Sequence, residues 1–120
     1  MPETSPWSDT DPVATQYTIS PVPLDDDEQR YADHFNVTVE WRGERLWAVV
    51  NGGYTLTAAG NWEYEPRPSS REDDYLTRCR FDLDTALGLA REVAPTVEVN
   101  GMTWVQYLEW RSGRRAEETQ

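Results

Sequence analysis

The chain has 120 residues, in which 22 acidic side chains face 11 arginines and no lysine, for a net charge of −11. That length supports one domain with one modest core, there is no run of about 18 apolar residues to span a membrane, and the acidic balance disfavours direct contact with nucleic-acid phosphates. A single cysteine excludes an internal disulfide framework, and the opening MPETSPWSDTDP has neither the basic nor the apolar region of a signal peptide, so a reducing cytoplasm is expected.

The charge is unevenly placed. Eight acids against Arg30 leave residues 1–34 at −7, while fourteen against ten arginines leave residues 35–120 at −4. Residues 1–15 are rich in Pro, Ser, Thr and Asp, with only Trp7 to bury, and read as a disordered arm. Gln16 to Val22 carries Tyr17 and Ile19 in alternation, a strand that Pro21 confines to a sheet edge. Pro23 to Asp33 is an acidic loop.

Four more strands follow. In Phe35 to Arg42, the apolar Phe35, Val37, Val39 and Trp41 alternate with polar residues, the period of a half-buried strand. Leu46 to Val50 is apolar on both faces, which predicts a central position. Arg42-Gly43-Glu44-Arg45 and Asn51-Gly52-Gly53 supply the turns. Tyr54 to Thr57 and Trp62 to Glu65 complete an antiparallel meander with connections short enough for sequence neighbours to pair, and Pro66 and Pro68 end it.

Ser69 and Glu72 stand at capping-box spacing before a helix over about 70–80. Asp82 and Asp84 suit the N-terminus of the next helix, about 84–94. There Leu83, Ala86, Leu87, Ala90, Val93 and Ala94 form one apolar stripe, with Leu89 out of pattern. Pro95 stops it. Thr96 to Val99 reads as a short strand, Asn100-Gly101 as a turn, and Thr103 as the cap of a last helix over about 103–111. Residues 113–120 read as a disordered tail. Strands followed by helices predict an α+β domain over 16–112, a four- to five-stranded antiparallel meander packed on one face by three helices.

Candidate chemistry is sparse. Cys79, between Arg78 and Arg80, could be an activated thiol, but the reading preferred is a small half-buried helix residue. His34 is the only histidine, and no spacing pairs it with Cys79. Asp25-Asp26-Asp27-Glu28 lacks the frame of a calcium loop, and capping explains Asp82 and Asp84 without catalysis. Asn51-Gly52-Gly53 lacks the lysine and helix of a phosphate cradle. No catalytic residue, metal ligand or cofactor site is therefore assigned. Six tryptophans are a rich supply for this length. Trp104, Tyr107 and Trp110 fall at i, i+3 and i+6 on the last helix, and with Trp62 and Tyr64 they are the candidate interaction residues.

The stretches HFNVTVEWRG, WEYEPRPSSRED and RFDLDTALGLAREVAP resemble small uncharacterised proteins of actinobacteria and their bacteriophages, over about His34 to Thr103. The last helix departs from that group in being richer in aromatic residues. The resemblance carries over no functional residue and implies a cytoplasmic accessory protein. The expected function is a non-enzymatic acidic module that binds a host protein. The alternatives are an acidic DNA mimic that inhibits a nucleic-acid-binding protein and, behind it, a carbohydrate-binding module or a hydrolase.

Overall fold

The computed structural model describes residues 12–23 and 33–118. Strands β1 (Gln16–Ile19), β2 (Val37–Trp41), β3 (Trp47–Asn51), β4 (Tyr54–Leu56) and β5 (Trp62–Tyr64) form one antiparallel sheet in sequence order. Helices α1 (Asp73–Cys79), α2 (Leu83–Val93) and α3 (Trp104–Glu118) follow. The α+β class and the five-stranded meander expected from the sequence are thus present.

Strand alternation divides the sheet into two faces. Val39 opposes Val49 and Leu56 opposes Trp62, and these residues with Val37 and Trp47 meet Ala86 and Ala90 of α2, and Ala94 just beyond it, in the main core. Alanines on the buried stripe bring the helix axis close to the strands. Leu89, out of the helical pattern, also packs at the margin of this core. Ala90 is fully buried, so Ala90→Leu should lower stability by about 1–3 kcal/mol through overpacking, measured by urea denaturation.

The other face corrects the expectation that all helices share one side. Thr55 opposes Val50 and Glu63, turned away from α2. Its hydroxyl lies 2.7 Å from the Tyr75 hydroxyl of α1, and Arg78 of α1 holds Glu63 with bonds of 3.0 and 2.9 Å. Helix α1 therefore covers the face opposite α2. The chain passes between faces beside β3, where short β4 has ended and Phe81 pairs with Trp47 through N–H···O bonds of 2.9 and 2.7 Å. Helix α3 joins neither layer. Its Trp104 closes a separate cluster with Val22 and Phe35, from the segments flanking β1 and β2.

Several boundaries also differ. Ser69 lies in a 3₁₀ turn, Pro68–Ser70, and α1 starts after Glu72 with no side-chain cap. The reciprocal capping box sits instead at α3, where the Gln106 N–H donates to Thr103 Oγ1 (3.3 Å) and the Thr103 N–H to Gln106 Oε1 (2.9 Å). The predicted strand Thr96 to Val99 is replaced by a 3₁₀ turn, Ala94–Thr96, and a Val99–Met102 bridge around Asn100-Gly101. Pro95 opens that turn, and the Val97 N–H donating to the Ala94 carbonyl (3.3 Å) and the Thr96 hydroxyl to the Val93 carbonyl (2.7 Å) hold it. The α3 backbone runs to Glu118, beyond the expected end near 111. Of the predicted arm and acidic loop, residues 1–11 and 24–32 lie outside the described residues, whereas the Thr15 carbonyl accepts from the Trp41 N–H at 3.0 Å.

One carboxylate ties these layers together. Glu65 accepts from Arg42 Nε and Nη2 at 3.0 and 2.8 Å and from Arg80 Nη2 at 3.2 Å, and pairs with Arg71 at 3.3 Å. In a flat sheet Arg42, past the Trp41 end of β2, and Glu65, past the Tyr64 end of β5, would occupy diagonally opposite corners of the four strands β2 to β5. Strand twist curls such corners toward one face, and the Arg42–Glu65 fork closes them. Arg80, its side chain only 4 % exposed, also donates to the Cys79 carbonyl and lies over the Tyr75 ring.

The Arg42 fork holds the Glu65 carboxyl below the usual glutamate range, and Glu65 in turn raises Arg42. Because the folded-state value is depressed, the stabilisation is complete above the ordinary glutamate pKa of about 4.3 and is lost as pH falls through the lower folded value. Glu65→Gln should cost about 2 kcal/mol at neutral pH, chiefly by leaving Arg80 unpaired. The gap from wild type should close on acidification below about pH 4, read from urea midpoints at a series of pH values.

Candidate interaction surface

The aromatic residues proposed from the sequence separate into two groups. On α3 the Trp104 ring is 4 % exposed and meets Phe35 edge-on at 5.6 Å between centroids. Tyr107 stacks on Trp104 at 5.5 Å and 30°, and Trp110 continues the series at 6.0 Å and 34°. Positions i, i+3 and i+6 drift gradually around a helix, so the three rings form a ladder that begins in the small core and ends in solvent. Trp110 is 48 % exposed, and Val105 on another flank of the helix is exposed as well.

The second group is on the sheet. Trp62 is half-buried against the main core, while Tyr64 is 70 % exposed beside Tyr54. The two tyrosines pair across β4 and β5 and meet edge-to-face at 83°, 6.1 Å apart. A flat platform for stacking a sugar ring needs coplanar faces, and this pair does not provide one. Trp41 and Trp47 pair across β2 and β3, the first half-exposed and the second buried. Val13 and Ala14, from the stretch assigned by composition to the arm, line a cavity with these two indoles. Sequence reasoning missed that contribution because a Pro- and Asp-rich stretch gives no periodicity to read.

The titratable candidates have structural partners. Burial pushes the Cys79 thiol up, outweighing the adjacent guanidinium groups, which are engaged with Glu63 and Glu65. His34 is exposed in the turn before β2 while Cys79 is fully buried, and no hydrogen bond connects them. Asp82 caps α2, accepting from the Thr85 N–H and hydroxyl at 2.9 Å each, and these bonds hold its carboxyl low. Asp84 lies in the first turn. Arginine also neutralises the sheet carboxylates: Glu40 pairs with Arg42, Glu63 with Arg78, and Glu65 with three arginines. A phosphate-like row of free acid on the sheet, which a DNA mimic would need, is not formed there. Asp25 to Glu28 lie outside the described residues.

Among the described residues no group of three His, Cys, Asp or Glu side chains is placed to hold a metal ion, and no helix is long and apolar enough to cross a membrane. No protein-family model matches the chain, and neither a curated protein nor a solved structure matches it.

A buried thiol with a raised pKa carries little thiolate. Cys79 should therefore react with iodoacetamide much more slowly than a free cysteine at neutral pH and recover ordinary reactivity in denaturant, followed by mass spectrometry.

Proposed function

We propose that this chain is a non-enzymatic, protein-binding accessory module of the cytoplasm, and that it engages its partner through the outer end of the α3 ladder. The observation that carries this reading is the stacked series from buried Trp104 to half-exposed Trp110. A ring held by its neighbours has little side-chain entropy left to lose on binding, and Trp and Tyr dominate the energetic centres of protein interfaces. The Trp104 ring is buried in the small core whereas the Trp110 ring is half-exposed, so the ladder carries one aromatic face from the core to the surface. The resemblance to actinobacterial and phage proteins supports a host protein as the partner.

The test is affinity capture with chemical cross-linking from an actinobacterial lysate, comparing wild type, Trp110→Ala and Tyr64→Ala. Trp110→Ala should reduce recovery of the specific partner at least about tenfold while changing stability by less than about 1 kcal/mol. Tyr64→Ala should retain the partner. Equal recovery with Trp110→Ala, or no specific partner for wild type, overturns the proposal.

A further inference from the structure

The Trp41–Trp47 pair borders two cavities of different character. One, about 330 Å³, is walled by the two indoles with Val13, Ala14 and Thr15 and is almost wholly apolar. The other, about 560 Å³, adds Glu44, Asp82 and Asp84, with Arg45 as its one cationic group. Three carboxylates against one guanidinium leave that cavity two units negative. The Trp41 ring between them is 47 % exposed, and its Nε1–H donates to the Glu44 carbonyl at 2.8 Å. That bond fixes the indole before any ligand arrives. Trp47 is fixed from below by Tyr17, 5.8 Å away between centroids. Glu44 is presented by a left-handed backbone (φ 52°) that follows Gly43 (φ 104°), so its place at the rim is set by the turn.

A fixed indole face beside carboxylates attracts a desolvated cation through the ring quadrupole and charge together, and tryptophan is the strongest of the aromatic rings in this role. The positive end of α2 opposes a cation at this place, but Asp82 already answers it by capping the helix. Glu44 and Asp84 are left to face a ligand. An ammonium or guanidinium seated on Trp41 would place the neighbouring residue of its own chain against the apolar shelf of Val13 and Ala14. A partner segment that alternates basic and aliphatic residues matches both cavities at once, and a chain of net charge −11 attracts such a segment from a distance.

We propose that this cleft is a binding site for a basic, apolar-flanked peptide segment, with an arginine seated between Trp41 and the Glu44 and Asp84 carboxylates. The site shares no residue with the α3 ladder, so the two readings stand or fall separately.

The test titrates the full chain with a short peptide alternating arginine and leucine, read by tryptophan fluorescence and by amide chemical shifts. Two controls replace arginine by its neutral isostere citrulline, or by glutamate. The arginine peptide should bind, weaken with added salt, and shift the amides around Trp41, Glu44 and Asp84. Trp41→Leu should weaken it about fivefold. Trp110→Ala should leave it unchanged. Where Trp41→Leu disturbs the fold, the double variant Glu44→Gln/Asp84→Asn decides, since these exposed side chains carry no core contact and Asp82 keeps the cap. The proposal is overturned by equal binding of the citrulline peptide, by unchanged affinity in the double variant, or by no saturable binding at millimolar peptide.

Discussion

The structure turns on a charge that would be costly anywhere else in the domain. Arg80 lies where the chain leaves one face of the sheet for the other, and its guanidinium is almost entirely removed from water. Without a carboxylate within reach that position would destabilise the fold. Glu65 supplies it and, by also holding Arg42 and Arg71, fixes the end of β5 to the far corner of β2 and to the approach to α1. The same set of bonds explains why this face can be polar in composition and buried in fact. Thr55 and Tyr75 answer each other, Arg80 answers Glu65 and the Cys79 carbonyl, and the sheet closes over groups that are already satisfied.

The two faces are therefore built by different physics. The face toward α2 is a small-residue contact, alanines against valines and Leu56, with aromatic rings at its rim. The face toward α1 is a hydrogen-bonded and ionic layer. Aromatic residues are left at the periphery: Tyr54 and Tyr64 at one edge, Trp41 at another, and Trp110 midway along α3. That distribution separates surfaces that can take a partner from those already committed to the core.

Much of the fold was legible in the sequence. The alternation of Val37, Val39 and Trp41, the apolar run of β3, the glycine turns and the stripe of α2 are local signals whose period reveals which face is buried. The side on which α1 packs was not legible, because a seven-residue helix carries too few positions for a stripe and its docking rests on Tyr75, Arg78 and Arg80 reaching strand residues far along the chain. The capping box was read at Ser69 and Glu72 when it formed at Thr103 and Gln106, since Pro68 fixes a tight turn that uses Ser69 otherwise. For the candidate surfaces, helical spacing placed the three rings of α3 on one ridge, but which of them would be buried depended on Phe35 and Val22. The Trp41 cleft draws walls from Val13, Glu44 and Asp84, three separate parts of the chain that no motif joins.

The order of the strands carries a further consequence. Every strand pairs with its neighbour in sequence, so each turn from Gly43 onward closes only a short loop and the contacts within the meander are local. During synthesis the sheet can take shape before α1 and α2 have been made. It would then expose two unlike faces: one greasy, awaiting the alanine stripe, and one carrying Arg42 and Glu65, whose pairing needs no later residue. The early electrostatic closure would hold the half-made domain in register while the apolar face stays open to aggregation until α2 arrives.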